Sequence, residues 1–217
     1  MNSNEDVIYI NKGNKKYVNI IKKRSLEELK IEEGTIGFSF PTEQVSFAYM
    51  KKLEKIILPK SLESLDHING FYNCSKLSKI IVEGDSDNTI FHLPDNITKI
   101  SGPGFNKTSI TELNIGKNIK LISIDSIKET KKLESINVEE ENEFYSSIDG
   151  VLFTKDKKEL LYYPTNKKDK EYRIPNTTLK INKNAFLDCN HLKKLIIPST
   201  IEDKKIKTNK IKEIIIE

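Results

Sequence analysis

The sequence predicts an α/β, mostly β fold: a repeat solenoid whose strands alternate with short helical turns. Three observations carry that expectation. A frame of apolar residues recurs, as Phe71-x-x-Cys74-x-x-Leu77-x-x-Ile80-x-Val82 and Phe186-x-x-Cys189-x-x-Leu192-x-x-Leu195-x-Ile197-Pro198. The same frame fits Phe47, Met50, Leu53, Ile56, Leu58 and Pro59, and again Ile127, Thr130, Leu133, Ile136 and Val138. The spacing is nearly regular, with Leu53 and Leu77 separated by 24 residues. A unit repeated at such a period stacks on its neighbours, because one copy alone cannot bury its apolar side chains.

Each copy justifies its elements in the same order. Ile56 and Leu58, or Ile80 and Val82, alternate as a strand with one buried face requires. A turn residue follows, at Pro59, Gly116 or Pro198, and then a second apolar pair: Leu62 and Leu65, Ile97 and Ile100, Ile119 and Ile122. The spacing of three in Phe-x-x-Cys-x-x-Leu suits a short helical turn that drops onto the next strand.

The ends and one long step have their own logic. Two apolar runs, Val7–Ile10 and Tyr17–Ile21, flank Asn11-Lys12-Gly13-Asn14, which is a hairpin signal. Residues 1–25 are therefore expected to form a capping hairpin over the open end of a solenoid built from residues 26–217. Between Leu133 and Leu192 the step grows to 59 residues. That length accommodates an inserted β-hairpin at about 144–165, made of Val151–Phe153 and Leu160–Tyr163 and turned by Lys155–Lys158. Ile211, Ile214 and Ile216 read as a final strand whose free edge offers pairing with another chain.

Cys74 and Cys189 hold the slot that Met50 and Thr130 hold elsewhere, a small packing position inside the stack. Several rungs apart, they are out of reach of a disulfide. Two free, buried thiols are expected.

At this point the residues resemble a known family. Ile174-Pro175-Asn176-Thr177-Thr178-Leu179-Lys180-Ile181, followed by Ala185-Phe186-Leu187-Asp188-Cys189-Asn190-His191-Leu192-Lys193-Lys194-Leu195-Ile196-Ile197-Pro198, is similar to the BspA-like leucine-rich repeats of bacterial surface proteins and some protists. Tyr145–Phe153 looks like the inserted hairpin common there. The resemblance covers roughly residues 26–217. Middle copies depart from the pattern: Gly104–Ile110 is one residue short, and Ile127 replaces Phe. What the resemblance implies is a right-handed, curved leucine-rich-repeat solenoid used for adhesion or protein binding, with no catalytic residues.

Composition excludes several classes. Lys plus Arg is 36 against 32 acids, a formal charge of +4, which does not by itself call for a nucleic-acid partner. No apolar run approaches the roughly 18 residues of a membrane span. Met1–Asp6 lacks the basic-then-apolar layout of a signal peptide. The protein is thus expected in the cytoplasm, or outside the cell or on its surface if a leader has been removed.

The search for chemistry yields no catalytic, cofactor or metal residues. His67, His92 and His191 sit in no metal-ligand spacing, and Cys189-Asn190-His191 is not a zinc pattern. In the frame Cys189 points inward and His191 outward, which argues against a nucleophilic pair. Glu139–Glu141 and Glu143 read as a solvated loop rather than a calcium site. Gly102-Pro103-Gly104 is a turn without phosphate-loop spacing. The glycosylation triplets at Asn96, Asn106 and Asn176 are expected by chance in a chain so rich in Asn and Thr.

Two surface patterns remain. The outward positions of the strands include Glu54, Lys55, Lys79 and Glu112, with a column of Ile57, Ile81, Asn114, Asn137, Ile196 and Ile215. Isoleucines beside mixed charges suit a protein-recognition face, although β-branched residues also simply favour strands. The second pattern is Lys193, Lys194, Lys204, Lys205, Lys207, Lys210 and Lys212. It could grip an anionic polymer or membrane surface, but few aromatics interleave, and a solvated face explains it too.

Overall fold

A computed structural model describes residues 6–42, 44, 46–65, 70–102, 104–203 and 206–217. His67, Pro103, Lys204 and Lys205 lie outside the described residues. The chain forms two compact units, Met1–Ile110 with Asn118–Lys131, and Thr111–Lys117 with Lys132–Glu217. Both are built largely of short parallel strands joined by turns.

The first unit begins with β1 (Val7–Lys12), β2 (Lys15–Ile21), β3 (Glu28–Lys30) and β4 (Thr35–Phe38). Next come β5 (Lys55–Leu58), β6 (Lys79–Val82) and β7 (Lys99–Ile100). β8 (Glu112–Ile115) belongs to the second unit, and β9 (Leu121–Ile122) returns to the first. β1 and β2 form the expected antiparallel hairpin, and β2 then pairs in parallel with β4. β3, β5 and β6 run parallel with Leu29, Ile56 and Ile80 in register, all three fully buried. In two copies the second apolar pair ends in a short strand of its own, β7 at Ile100 and β9 at Ile122, and the two run parallel.

The large residues of the frame form one aromatic column in this unit. Phe47 and Phe71 lie 5.2 Å apart between ring centroids, and Phe71 and Phe105 lie 5.9 Å apart. Phe38 and Phe40 close the column edge-on against Phe47. The residue before each large one is small: Ser46, Gly70, Gly104 and Ser126. The reason is backbone contact between successive turns. Phe71 N–H donates to Gly104 O and Phe105 N–H to Ser126 O, both at 2.9 Å. A Cβ on Gly70 would meet Gly104 Cα at 3.2 Å, so a side chain there would have to push the next turn's backbone aside.

The expected helical turns take a different form. Cys74 N–H bonds Phe71 O at 3.1 Å and Leu77 N–H bonds Cys74 O at 2.9 Å, so the spacing of three is closed by turns. A left-handed residue then interrupts them two places after each Phe: Tyr49, Asn73, Lys107 and, in the second unit, Asp188, with φ between 60° and 66°. A positive φ cannot propagate a right-handed helix. A 3-10 turn, Ile124–Ser126, appears in the copy that carries Ile127.

The slot shared by Cys74 and Thr130 asks for more than small size. Cys74 Sγ donates to Phe47 O at 2.9 Å, and Thr130 Oγ1 donates to Phe105 O at 3.2 Å. In both copies the side chain satisfies a buried carbonyl one turn back.

Arg24 closes the start of this ladder. In later copies the carbonyls before and after the Phe accept N–H groups from the turn before: Gly104 O from Phe71, Tyr72 O from Tyr49, Asn106 O from Asn73. Ser46 O and Ala48 O are the matching carbonyls around Phe47. Arg24 donates to both, and to Gln44 O at 2.8 Å. One guanidinium fork thus stands in for a turn's worth of backbone donors.

The second unit adds β10 (Ser135–Val138), β11 (Tyr145–Ile148), β12 (Val151–Thr154) and β13 (Glu159–Tyr162). It ends with β14 (Glu171–Arg173), β15 (Lys180–Ile181), β16 (Lys194–Ile197) and β17 (Glu213–Ile216). β8 pairs in parallel with β10. The insertion is a three-stranded meander, β11-β12-β13, and β13 pairs in parallel with β15. β14, β16 and β17 form a parallel sheet with Tyr172, Leu195 and Ile214 in register. Phe186 packs against Tyr163 at 5.2 Å, the counterpart of the phenylalanine contacts in the first unit.

Two shortened rungs contribute to the long steps in the repeat. Phe91-x-Leu93-Pro94 bridges in parallel to Ile80, and Tyr172-x-Ile174-Pro175 overlaps β14. Each has the apolar-x-apolar-Pro ending of Leu195-x-Ile197-Pro198 without the full frame ahead of it. The glycosylation triplet at Asn106 is closed to modification, since that side chain is buried and bonds Asp125 O.

Candidate functional site: the open faces of the parallel sheets

In the first unit, Ile56 and Leu58 are fully buried while Lys55 and Ile57, which alternate with them, are half-buried. Alternation therefore gives β5 one dry face and one open face. Charges on the open face pair across strands: Lys55 with Glu28 at 3.4 Å and Lys76 with Glu54 at 2.9 Å. Lys79 Nζ donates to Asp87 O. Lys30 in β3 reaches Glu83, just past β6, so this ion pair crosses β5 beside Ile57.

Ile81 requires a correction. It was expected to be exposed, yet it is 6% exposed. Its register partner Ile57 flanks it on one side. On the other side the Ile80–Phe91 bridge brings His92 alongside, held by Asp85 Oδ2 at 2.9 Å from Nδ1. His92 and Ile90, which is 41% exposed, join this face unannounced by the sequence frame.

In the second unit, Glu112 and Asn114 of β8 are half-buried and Asn137 of β10 is exposed. Asn137 Nδ2 donates to Asn114 Oδ1 at 3.0 Å, an amide rung across the strands. On the β14-β16-β17 sheet Ile215 is half-buried, but Ile196 is only 2% exposed, a second correction. Here the cover is an ion pair: Arg173 of β14 reaches Glu217 past the end of β17, and the pair crosses β16 beside Ile196. Beyond β16, Ile214 and Ile216 are 47% and 56% exposed, whereas their partners Leu195 and Ile197 are buried.

The basic cluster is less uniform than its sequence suggests. Lys193, Lys207, Lys210 and Lys212 are exposed. Lys194 is paired with Glu171 at 3.0 Å, which raises its pKa, and Lys210 donates to Asn190 Oδ1 at 2.7 Å. Glu213 and Glu217 stand on or beside the same strand.

The groups weighed for chemistry have structural occupations. His191 Nε2 meets Asn166 Oδ1 at 3.0 Å, while Cys189 is buried. Glu139 accepts Lys117 N–H at 2.9 Å, and buried Asn142 organises the loop by donating to Gly116 O and accepting from Phe144 and Tyr145 N–H. Among the described residues no group of three or more His, Cys, Asp or Glu is placed to hold a metal. Among them, too, no helix is long and apolar enough to cross a membrane.

Both cysteines are free and buried, as expected. Burial is the main cause that pushes each thiol up to about 12; for Cys74 the nearby Arg24 and Lys51 oppose it, and for Cys189 the Asp188 carboxylate adds to it. Neutral thiols are poor nucleophiles. Iodoacetamide at pH 8 is expected to label neither cysteine in buffer and both in denaturant, read by intact mass. Labelling in buffer would place a thiolate at the surface.

The family model for the BspA-type leucine-rich-repeat region matches residues 19–158 and 161–217, in six copies. No curated protein matches the chain by sequence. Among solved structures, a leucine-rich repeat protein from Eubacterium ventriosum is 19% identical with a TM-score of 0.64. That match covers 89% of this chain and 57% of the other, so this chain spans little more than half that protein's length. The pneumococcal vaccine antigen PcpA is 18% identical with a TM-score of 0.51, over 99% of this chain and 77% of that one. At such identities the likeness is one of fold.

Proposed function

This chain belongs to the BspA-type leucine-rich-repeat family, and we propose that it is a non-catalytic protein-binding scaffold that presents its open sheet faces to a protein partner. The observation behind the reading is the asymmetry of β5. Ile57 stands half-buried between fully buried Ile56 and Leu58, beside the cross-strand pairs of Lys55 and Lys30. An apolar contact inside a charged rim supplies affinity at its centre and orientation at its edge. Glu54, Lys79, Glu112, Asn114, Asn137 and Ile215 are the remaining surface positions of the reading, while Ile81 and Ile196 lie covered between their neighbours across the strands. The finer part of the proposal is an adhesin-like role at a cell surface, in keeping with the family resemblance.

Immobilised protein screened against displayed protein fragments tests the reading. Ile57→Glu is expected to weaken the captured partner about tenfold or more while leaving the thermal midpoint nearly unchanged. Capture that survives Ile57→Glu and disappears near roughly 0.3 M salt would move the site to the exposed lysines of the second unit. Protease treatment of intact cells should remove the protein if it sits on the surface.

A further inference from the structure

Two tyrosines and two lysines of the first unit form a cluster outside the sheet faces. Tyr49 occupies the left-handed position after Phe47, where other copies have Asn73, Lys107 and Asp188. A φ of 64° suits asparagine or aspartate and strains an aromatic residue. Burial does not account for the ring, since Tyr49 is 46% exposed. It packs edge-on against Tyr72 at 5.4 Å, and Lys51 Nζ lies 5.9 Å from its centroid. Lys51 also donates to Asn73 Oδ1. Lys107 Nζ stands 4.9 Å over the Tyr72 ring, donates to its hydroxyl at 2.7 Å and pairs with Glu129 at 3.3 Å.

Strain kept at an exposed aromatic group points to binding rather than packing. We propose that this cluster is a subsite for an acidic saccharide. The C–H face of a pyranose lies on the Tyr49 ring, an apolar surface with a polar tip. The sugar hydroxyls find donors and acceptors in Asn73 and Glu129. The carboxylate of a uronate unit meets the Lys51 ammonium, whose partner here is a neutral amide, whereas Lys107 already faces Glu129. A cluster of two cations and one carboxylate has too little net charge to favour a polyphosphate chain.

Calorimetric titration of the full chain with a hyaluronan hexasaccharide decides the matter, with chitohexaose as the uronate-free control. The hexasaccharide is expected to bind more tightly than chitohexaose. Tyr49→Asn should weaken it about tenfold with the thermal midpoint unchanged or raised, because Asn accepts the backbone angle. Lys51→Gln should weaken hyaluronan several-fold and leave chitohexaose unchanged, and Ile57→Glu should alter neither. Absence of hyaluronan binding overturns the proposal, as does a Tyr49→Asn variant that binds like the parent. A Tyr49→Asn variant whose midpoint falls overturns it too, because the ring is then held for packing.

Discussion

Phe71→Ala is expected to lower the unfolding free energy by about 3–5 kcal/mol, measured as a shift of the urea midpoint at unchanged slope. The ring is nearly fully buried and sits between Phe47 and Phe105 in the aromatic column. Its removal loses the transfer free energy and leaves a hole. Neighbouring turns cannot close that hole, because Phe71 N–H to Gly104 O and Phe105 N–H to Ser126 O hold their backbones at a set spacing. Phe144→Ala, at a residue 43% exposed, should change stability by less than about 0.5 kcal/mol. A loss under about 1 kcal/mol at Phe71 would mean that the rings do not pack as a column.

Arg24→Met should be nearly as damaging, at about 2–4 kcal/mol, for a different reason. Methionine keeps much of the apolar stem but removes the fork that serves Ser46 O, Ala48 O and Gln44 O. The carbonyls left behind are not replaced by a preceding turn. Arg24→Lys should recover only part of the loss, since one ammonium cannot reach all three acceptors in the same planar geometry. Thermal unfolding of the three proteins reads the order. Equal stability of the Lys and Arg forms would show that charge alone, not the fork, closes the ladder.

The strands and their buried residues were legible because period and apolar type are local facts: Leu53, Ile56 and Leu58, or Leu192, Leu195 and Ile197, announce themselves. The frame does not mark Phe91–Pro94 and Tyr172–Pro175, which keep only the strand's own ending and lack the large residue and spacer ahead of it. The burial of Ile81 and Ile196 was not legible. It depends on neighbours across strands and, beside Ile196, on an ion pair whose members lie 44 residues apart. Helical turns were expected from the spacing of three, and only the backbone shows the left-handed residue that breaks them. Asn73 and Asp188 hint at that conformation by type, whereas Tyr49 and Lys107 do not. Arg24, one of many basic residues, gave no signal of its own, because its three acceptors are all main-chain carbonyls.

Ile80 and Phe91 are held at strand spacing although ten residues, Ile81–Ile90, lie between them, where full copies use about two dozen. The ladder registers only where each excursion returns, not how far it wanders. Segment 83–90 is therefore a natural place for indels to accumulate between lineages and for randomised libraries to be grafted. New recognition loops can arise there by slippage or duplication while the hydrogen-bonded frame beneath keeps its pitch.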